Sequence, residues 1–157
     1  MTLKGSYILL IFVRENLWFK PGSLQRVRLP PGCYVYVGSA IGPGGFEKRV
    51  LRHLRKTKKA RWHIDYLTRL RNVEVRGAFY IPLLNGESRL TRILSSLGFV
   101  KMVKGFGATD SPGDFSHLLL SKQGLRKTVE RIESGMRSNG LKSKFFSVED
   151  LRSLSAC

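Results

Sequence analysis

The chain has 157 residues, 42% of them hydrophobic and 25% charged, enough apolar material for one domain with a packed core and too much for a disordered polymer. Lys and Arg number 28 against 11 Asp and Glu, a formal charge of +17; a polyanion relieves such an excess, so nucleic acid heads the expected partners, although charge alone does not separate DNA from RNA or from an anionic membrane surface. The two cysteines, Cys33 and Cys157, lie far apart without metal-ligand spacing, which excludes a zinc ribbon and a disulfide framework and makes a reducing cytoplasm the expected compartment.

The apolar stretch from Gly5 to Arg14 predicts a first strand closed by the polar turn Arg14-Glu15-Asn16. Its core, Tyr7 to Val13, is too short to span a bilayer and has no cleavage-site pattern after it, so no membrane association is expected. Leu17 to Phe19 and Gln25 to Leu29 flank Pro21-Gly22 as a second, shorter strand, and Pro30-Pro31-Gly32 introduces a third from Cys33 to Val37. Connections this brief cannot make parallel crossovers, so an antiparallel meander is expected. Gly42-Pro43-Gly44-Gly45 is a turn that seats a basic amphipathic helix over Phe46 to Arg55, with Phe46, Val50, Leu51 and Leu54 at helical spacing. The turn lacks the Lys-Ser/Thr ending of a phosphate-binding P-loop.

Lys56 to Lys59 forms a charged connection, and Trp62 to Leu70 predicts a second helix. Val73 to Ile81 alternates as a strand, Pro82 to Gly86 is a turn, and Glu87 to Leu97 is a helix stopped by Gly98. Phe99 to Val103 and Phe115 to Leu120 predict strands around a loop from Gly105 to Gly113. Beyond residue 121 the character changes. Lys122 to Met136 reads as a charged helix, Ser138-Asn139-Gly140 as a breaker, and Val148 to Leu154 as a short helix capped by Ser147. These elements predict an α+β domain over residues 1–121, with a small mixed or antiparallel sheet flanked by helices, and a basic helical C-terminal extension over 122–157.

Chemistry concentrates between Tyr34 and His53. Tyr34 and Tyr36 share one face of a strand, Arg49 and His53 share one face of the following helix, and the glycine turn folds one towards the other. Phenols, a fixed cation and an imidazole gathered in a basic chain are groups able to grip and cleave a phosphodiester. Residues 46–76 hold eleven Lys or Arg against three acids. Within them Lys48, Arg52, Arg55, Lys56, Lys58, Lys59 and Arg61 are candidates for phosphate contacts, which set affinity without selecting sequence. A solvated basic face is the plainer reading of the same residues.

These motifs resemble the GIY-YIG nuclease superfamily. Gly5-Ser6-Tyr7 and Tyr36-Val37-Gly38 stand where its two naming tripeptides stand, and Arg49, His53 and Glu87 fall where it has a helix arginine, a histidine or tyrosine one turn later, and a metal-binding glutamate. The phrases Tyr34 to Ala40, Gly42 to Gly45 and Trp62-His63-Ile64-Asp65-Tyr66-Leu67 are similar to a prokaryotic branch of it, members of which are also found fused to endonuclease III-type repair proteins. The resemblance spans about residues 5–120. It implies a divalent-metal-dependent endonuclease acting on DNA rather than RNA, in repair or recombination. Tyr7, Tyr36, Arg49, His53 and Glu87 would then be catalytic, with Mg²⁺ or Mn²⁺ on Glu87. A phenol near pKa 10 is a poor base, so neighbouring cations would have to lower Tyr7 or Tyr36 for either to deprotonate water.

One departure bears on activity. Where the branch has cysteines beside the glutamate and in the loop before Ser116-His117, this chain has Ser88 and Ser111-Pro112-Gly113-Asp114. The alternative is therefore a nucleic-acid-binding module that keeps the fold without cleaving. His63 and Asp65 are expected in structural or substrate-positioning roles, and His117 as a satisfied buried imidazole.

Overall fold

The unbroken apolar run of the first strand has a simple cause: both of its faces are covered. In the computed structural model, which describes residues 2–108 and 113–154, strand β1 (Ser6–Val13) lies between β4 (Gly32–Ser39) and β5 (Val73–Ile81), antiparallel to each. Its odd-numbered residues Tyr7, Leu9 and Ile11 enter one core, and its even-numbered Ile8 and Leu10 enter another. Strand periodicity divides the side chains in this way.

The remaining strands of the sheet are β6 (Val100–Met102), β7 (Leu118–Ser121) and β8 (Lys144–Ser147), in the order β6-β7-β4-β1-β5-β8, with every pair antiparallel. Helices α1 (Gly45–Leu54), α2 (His63–Thr68) and α5 (Val148–Ser153) send Phe46, Val50, Ile64, Leu67 and Leu151 into the core on the Tyr7 face. Helices α3 (Glu87–Ser96) and α4 (Leu125–Ser138) send Leu90, Leu94, Ile132 and Met136 into the other. The domain is α+β, a sheet with helices on both faces. Among the described residues no helix is long and apolar enough to cross a membrane.

Two expectations differ from the structure. The expected meander is interrupted: β2 (Leu17–Phe19) and β3 (Val27–Leu29) pair only with each other as a separate hairpin, while β1 pairs directly with β4. The hairpin still buries its apolar side chains, since Leu17, Phe19 and Leu29 pack into the Tyr7-side core. The stretch 122–157 contains helices where expected, but its described part is built into the same sheet and cores. β8 forms the edge beside β5, and Thr128, Ile132 and Met136 of α4 are buried. These positions follow the i, i+4, i+8 spacing of one helical face. Ser111, Pro112 and Cys157 lie outside the described residues; Cys33 is a buried free thiol.

Candidate active site

Strand register sets the first relationship in the site. Tyr7 on β1 faces Gly38 on β4 across the antiparallel pair, and the hydroxyl end of the Tyr7 ring packs against that residue. A Cβ at position 38 would stand 2.4 Å from Tyr7 Cζ, so only glycine fits. The two tripeptides noted in the sequence are thus one piece of packing. Tyr7 is 1% exposed, as is His53, and the phenol oxygen is 2.7 Å from His53 Nε2. Tyr34 does not join them; its hydroxyl donates to the Pro30 carbonyl at 2.6 Å.

Tyr36, two residues before Gly38, borders an open cleft of about 280 Å³ that is also lined by Arg49 of α1 and Glu87 at the start of α3. Arg49 lies over the Trp62 ring, its guanidinium carbon 4.2 Å from the centroid. Glu87 Oε1 is 3.5 Å from the Ser6 hydroxyl, which in turn donates to the Leu83 carbonyl. So Tyr36, Arg49 and Glu87 share one cleft, with Tyr7 and His53 packed behind it; the Tyr7 ring contacts those of both Tyr36 and His53.

Burial decides the protonation of this group, and it opposes the shift expected for a tyrosine base. Burial and the neighbouring Tyr36 raise the Tyr7 phenol well above its usual value, with Arg49 pulling against them. Burial likewise pushes Tyr36 up to about 12, again against Arg49. The condition for a tyrosine base, a phenol lowered by nearby cations, is not met: desolvation outweighs one guanidinium. Burial and the Lys58 ammonium push His53 down to about 3, so its imidazole is neutral at ordinary pH. Its Nδ1 has no hydrogen-bond partner.

Two further histidines border the same cleft, His63 and His117. The amide of Gly107 donates to His63 Nδ1 at 2.9 Å, which places the proton of the neutral ring on Nε2. His117 Nε2 is 2.9 Å from Asp114 Oδ2, which also accepts from the Ser88 hydroxyl at 2.5 Å. Burial favours the protonated Asp114 acid, but the bonds from Ser88 and His117 outweigh it and hold the carboxyl below its usual range. His117 is indeed buried with its ring bonded, as expected; its position on the cleft wall was not legible, because it depends on β7 lying beside β4. Ser88 and Asp114, at or beside the positions where the resembled branch has cysteines, touch one another.

Among the described residues no group of three or more His, Cys, Asp or Glu converges as a metal site. Glu87 is a single carboxylate facing the cleft. One carboxylate beside open space suits a hard cation of the Mg²⁺ type, which keeps several waters and takes its other ligands from phosphate oxygens.

The seven basic residues expected to meet phosphate divide into two groups. Arg52 donates from Nη2 to the buried Asp65 carboxylate at 2.8 Å and to the Lys59 carbonyl at 2.9 Å. Lys56 donates to the carbonyls of Thr68, Leu70 and Val73, tying α1 to the turn before β5. Lys58 donates to the Arg52 carbonyl and the Thr68 hydroxyl, and burial brings its ammonium down to about 8. These three turn their cationic ends back onto the protein to hold the loop, although Lys56 is itself exposed. Lys48, Arg55, Lys59 and Arg61 are exposed. Asp65, which the sequence left as structural or positioning, also accepts from the Arg61 and Trp62 amides at 2.9 and 3.0 Å. Burial would raise its acid, but Arg52 and these two amides hold it below the usual carboxylate range.

Compared with known families, the chain matches over residues 6–139 the one described as "Domain of unknown function DUF123", and it belongs to that family. No curated protein matches it, and no solved structure does.

Proposed function

We propose that this member of the DUF123 family is a divalent-metal-dependent endonuclease of GIY-YIG type that hydrolyses phosphodiester bonds in DNA, at repair or recombination structures in the cytoplasm. One observation carries the reading: Tyr36, Arg49 and Glu87, drawn from a strand and two helices, line a single open cleft in a chain of charge +17.

Each residue's part follows from its surroundings. Arg49 presents a planar guanidinium donor set, suited to gripping the scissile phosphate. Its seat on Trp62 fixes its direction. Tyr36 retains its proton at neutral pH, so it acts as a hydrogen-bond donor that orients water or a phosphate oxygen. Tyr7 and His53, both neutral, form the dry wall that holds Tyr36 and Arg49 in place. Glu87 would hold Mg²⁺ or Mn²⁺, which when bound supplies electrostatic stabilisation of the charge developing on the phosphoryl and leaving oxygens.

A second reading, a nucleic-acid-binding module without cleavage, is favoured by one specific contact, the Ser88–Asp114 hydrogen bond where the resembled branch has cysteines. Nicking of supercoiled plasmid and of flapped or branched DNA by wild type and Glu87→Gln separates the two. Cleavage that requires Mg²⁺ or Mn²⁺ and disappears in the variant, with binding retained, is the expected result. Salt-sensitive binding without cleavage by either protein would replace the nuclease with the binding module.

A further inference from the structure

Beside the Glu87 cleft, and sharing its Arg49, Trp62 and Arg61 wall, lies a second hollow of about 340 Å³ between α1, the turn at residues 42–43 and the 59–62 loop. Its charged lining is wholly cationic: Lys48, Arg49, Arg52, Arg55 and Arg61. Arg52 is neutralised by Asp65. The other four form no ion pair with a described carboxylate. The one acid on α1, Glu47, is turned away to accept from the Leu3 amide at 2.9 Å.

Converging like charges repel, so something holds them. Trp62 supplies a common surface: the guanidinium carbons of Arg49, Arg52 and Arg61 lie 4.2, 4.9 and 5.3 Å from its ring centroid. Asp65 anchors the loop that carries Arg61 and Trp62 through their amides. On the other side Gly44 has φ 85°, and a Cβ there would stand 2.5 Å from Lys48 Cδ, so the turn leaves room for the lysine stem to lie across it. Arg49, Arg52, Arg61 and the Lys48 stem therefore have seats before any ligand arrives, and the exposed Arg55 completes the lining.

We propose that this hollow is a second phosphate subsite, which takes the phosphodiester adjacent to the scissile one on the same nucleic-acid strand. It deepens the nuclease reading and rests on it for the identity of the neighbouring cleft. The subsite itself is defined by binding. A preformed, carboxylate-free pocket of arginine and lysine matches a phosphate's charge and its several acceptor oxygens, and its shared wall with the Glu87 cleft allows one strand to occupy both.

The test is binding of a short DNA duplex, and of the same duplex as RNA, read by fluorescence anisotropy in EDTA across a salt series. The proteins are wild type, Lys48→Gln, Arg55→Gln and the double variant. Both side chains are exposed and neither lines the Glu87 cleft; thermal melts check that each variant folds. If both residues hold one phosphate, each single change weakens binding by about 5- to 10-fold, the double adds less than about 3-fold more, and the salt slope falls by no more than about 0.9. Unchanged affinity in the double variant would overturn the subsite. So would two independent losses that multiply while the slope falls by about 1.8, the mark of separate surface contacts. Equal responses with both duplexes support a site that reads only phosphate, and a response confined to one duplex supports the subsite and identifies its substrate. Because no metal is present, absence of cleavage in the nicking assay would remove the nuclease reading without touching this result.

Discussion

The phenol oxygen of Tyr7 lies 2.7 Å from His53 Nε2, and both residues are 1% exposed. Neither group has a route to water, so each is the other's means of satisfying a buried polar atom. The pair joins the central strand to α1 directly behind the cleft, coupling the placement of Arg49 to the integrity of the core.

Tyr7→Phe removes one half of that bond and leaves His53 Nε2 without a partner. The expected loss is about 1–3 kcal/mol of unfolding free energy, read from urea denaturation at neutral pH. A double-mutant cycle with His53→Phe should recover part of it, because the orphaned imidazole is then gone. Equal stabilities of Tyr7→Phe and wild type would show that the bond contributes nothing.

His53 also sets a pH dependence. Its folded value of about 3 lies below the usual 6.5, so the unfolded chain binds the proton first. Its contribution is complete above about pH 6.5 and is lost progressively as pH falls towards 3, at up to about 1.4 kcal/mol per pH unit. Between pH 7 and pH 5 the wild-type urea midpoint should fall more steeply than that of His53→Phe. Parallel slopes in the two proteins would contradict a neutral buried His53.

Asp65 is fully buried and receives Arg52 together with the Arg61 and Trp62 amides. Asp65→Ala leaves the Arg52 charge and both amides unpaired, and about 3 kcal/mol of stability should be lost. Asp65→Asn, which keeps an acceptor for the amides, should lose less. The Trp62 fluorescence, isolated in a Trp18→Phe background, should change more in Asp65→Ala than in Asp65→Asn. A destabilised Asp65→Ala with unaltered Trp62 emission would mean that the loop is held by other contacts.

Lys56 and Lys59 are three residues apart and differ in what they touch. Both are exposed, but the Lys56 ammonium donates to three backbone carbonyls, whereas the Lys59 ammonium makes no such bond among the described residues. Lys56→Ala should cost about 1–2 kcal/mol of stability and leave the salt slope of nucleic-acid binding unchanged. Lys59→Ala should leave stability within about 0.5 kcal/mol of wild type and weaken binding in a salt-dependent manner. Melting curves and salt titrations on both variants check the division, and a reversal of the two patterns would refute it.

Local pattern was sufficient for most of the elements. The apolar run of β1, the glycine turn before α1, the helical spacing of Phe46, Val50 and Leu54, and the stop at Gly98 are legible because short-range sterics and one-sided burial write themselves into neighbouring residues. The motif residues were legible for the same reason, as each sits at a recognisable place on its own element. What the sequence by itself determined was therefore the α+β class, the order of most elements, the strong positive charge and the identity of the candidate groups.

The tertiary structure decided what depends on contacts between distant segments. The β2–β3 hairpin lies outside the main sheet and packs its apolar side chains against a core built from distant strands and helices, a contact that no turn signal records. β8 escaped notice because a four-residue edge strand owes its existence to the partner beside it. Arg52, Lys56 and Lys58 look like Lys48, Arg55 and Lys59 in the sequence, yet their partners are carbonyls, a hydroxyl and a carboxylate on segments up to 17 residues away. The direction of the Tyr36 and His53 shifts likewise follows from burial, a property of the assembled core: desolvation by surrounding layers outweighs the nearby charge that the sequence makes visible.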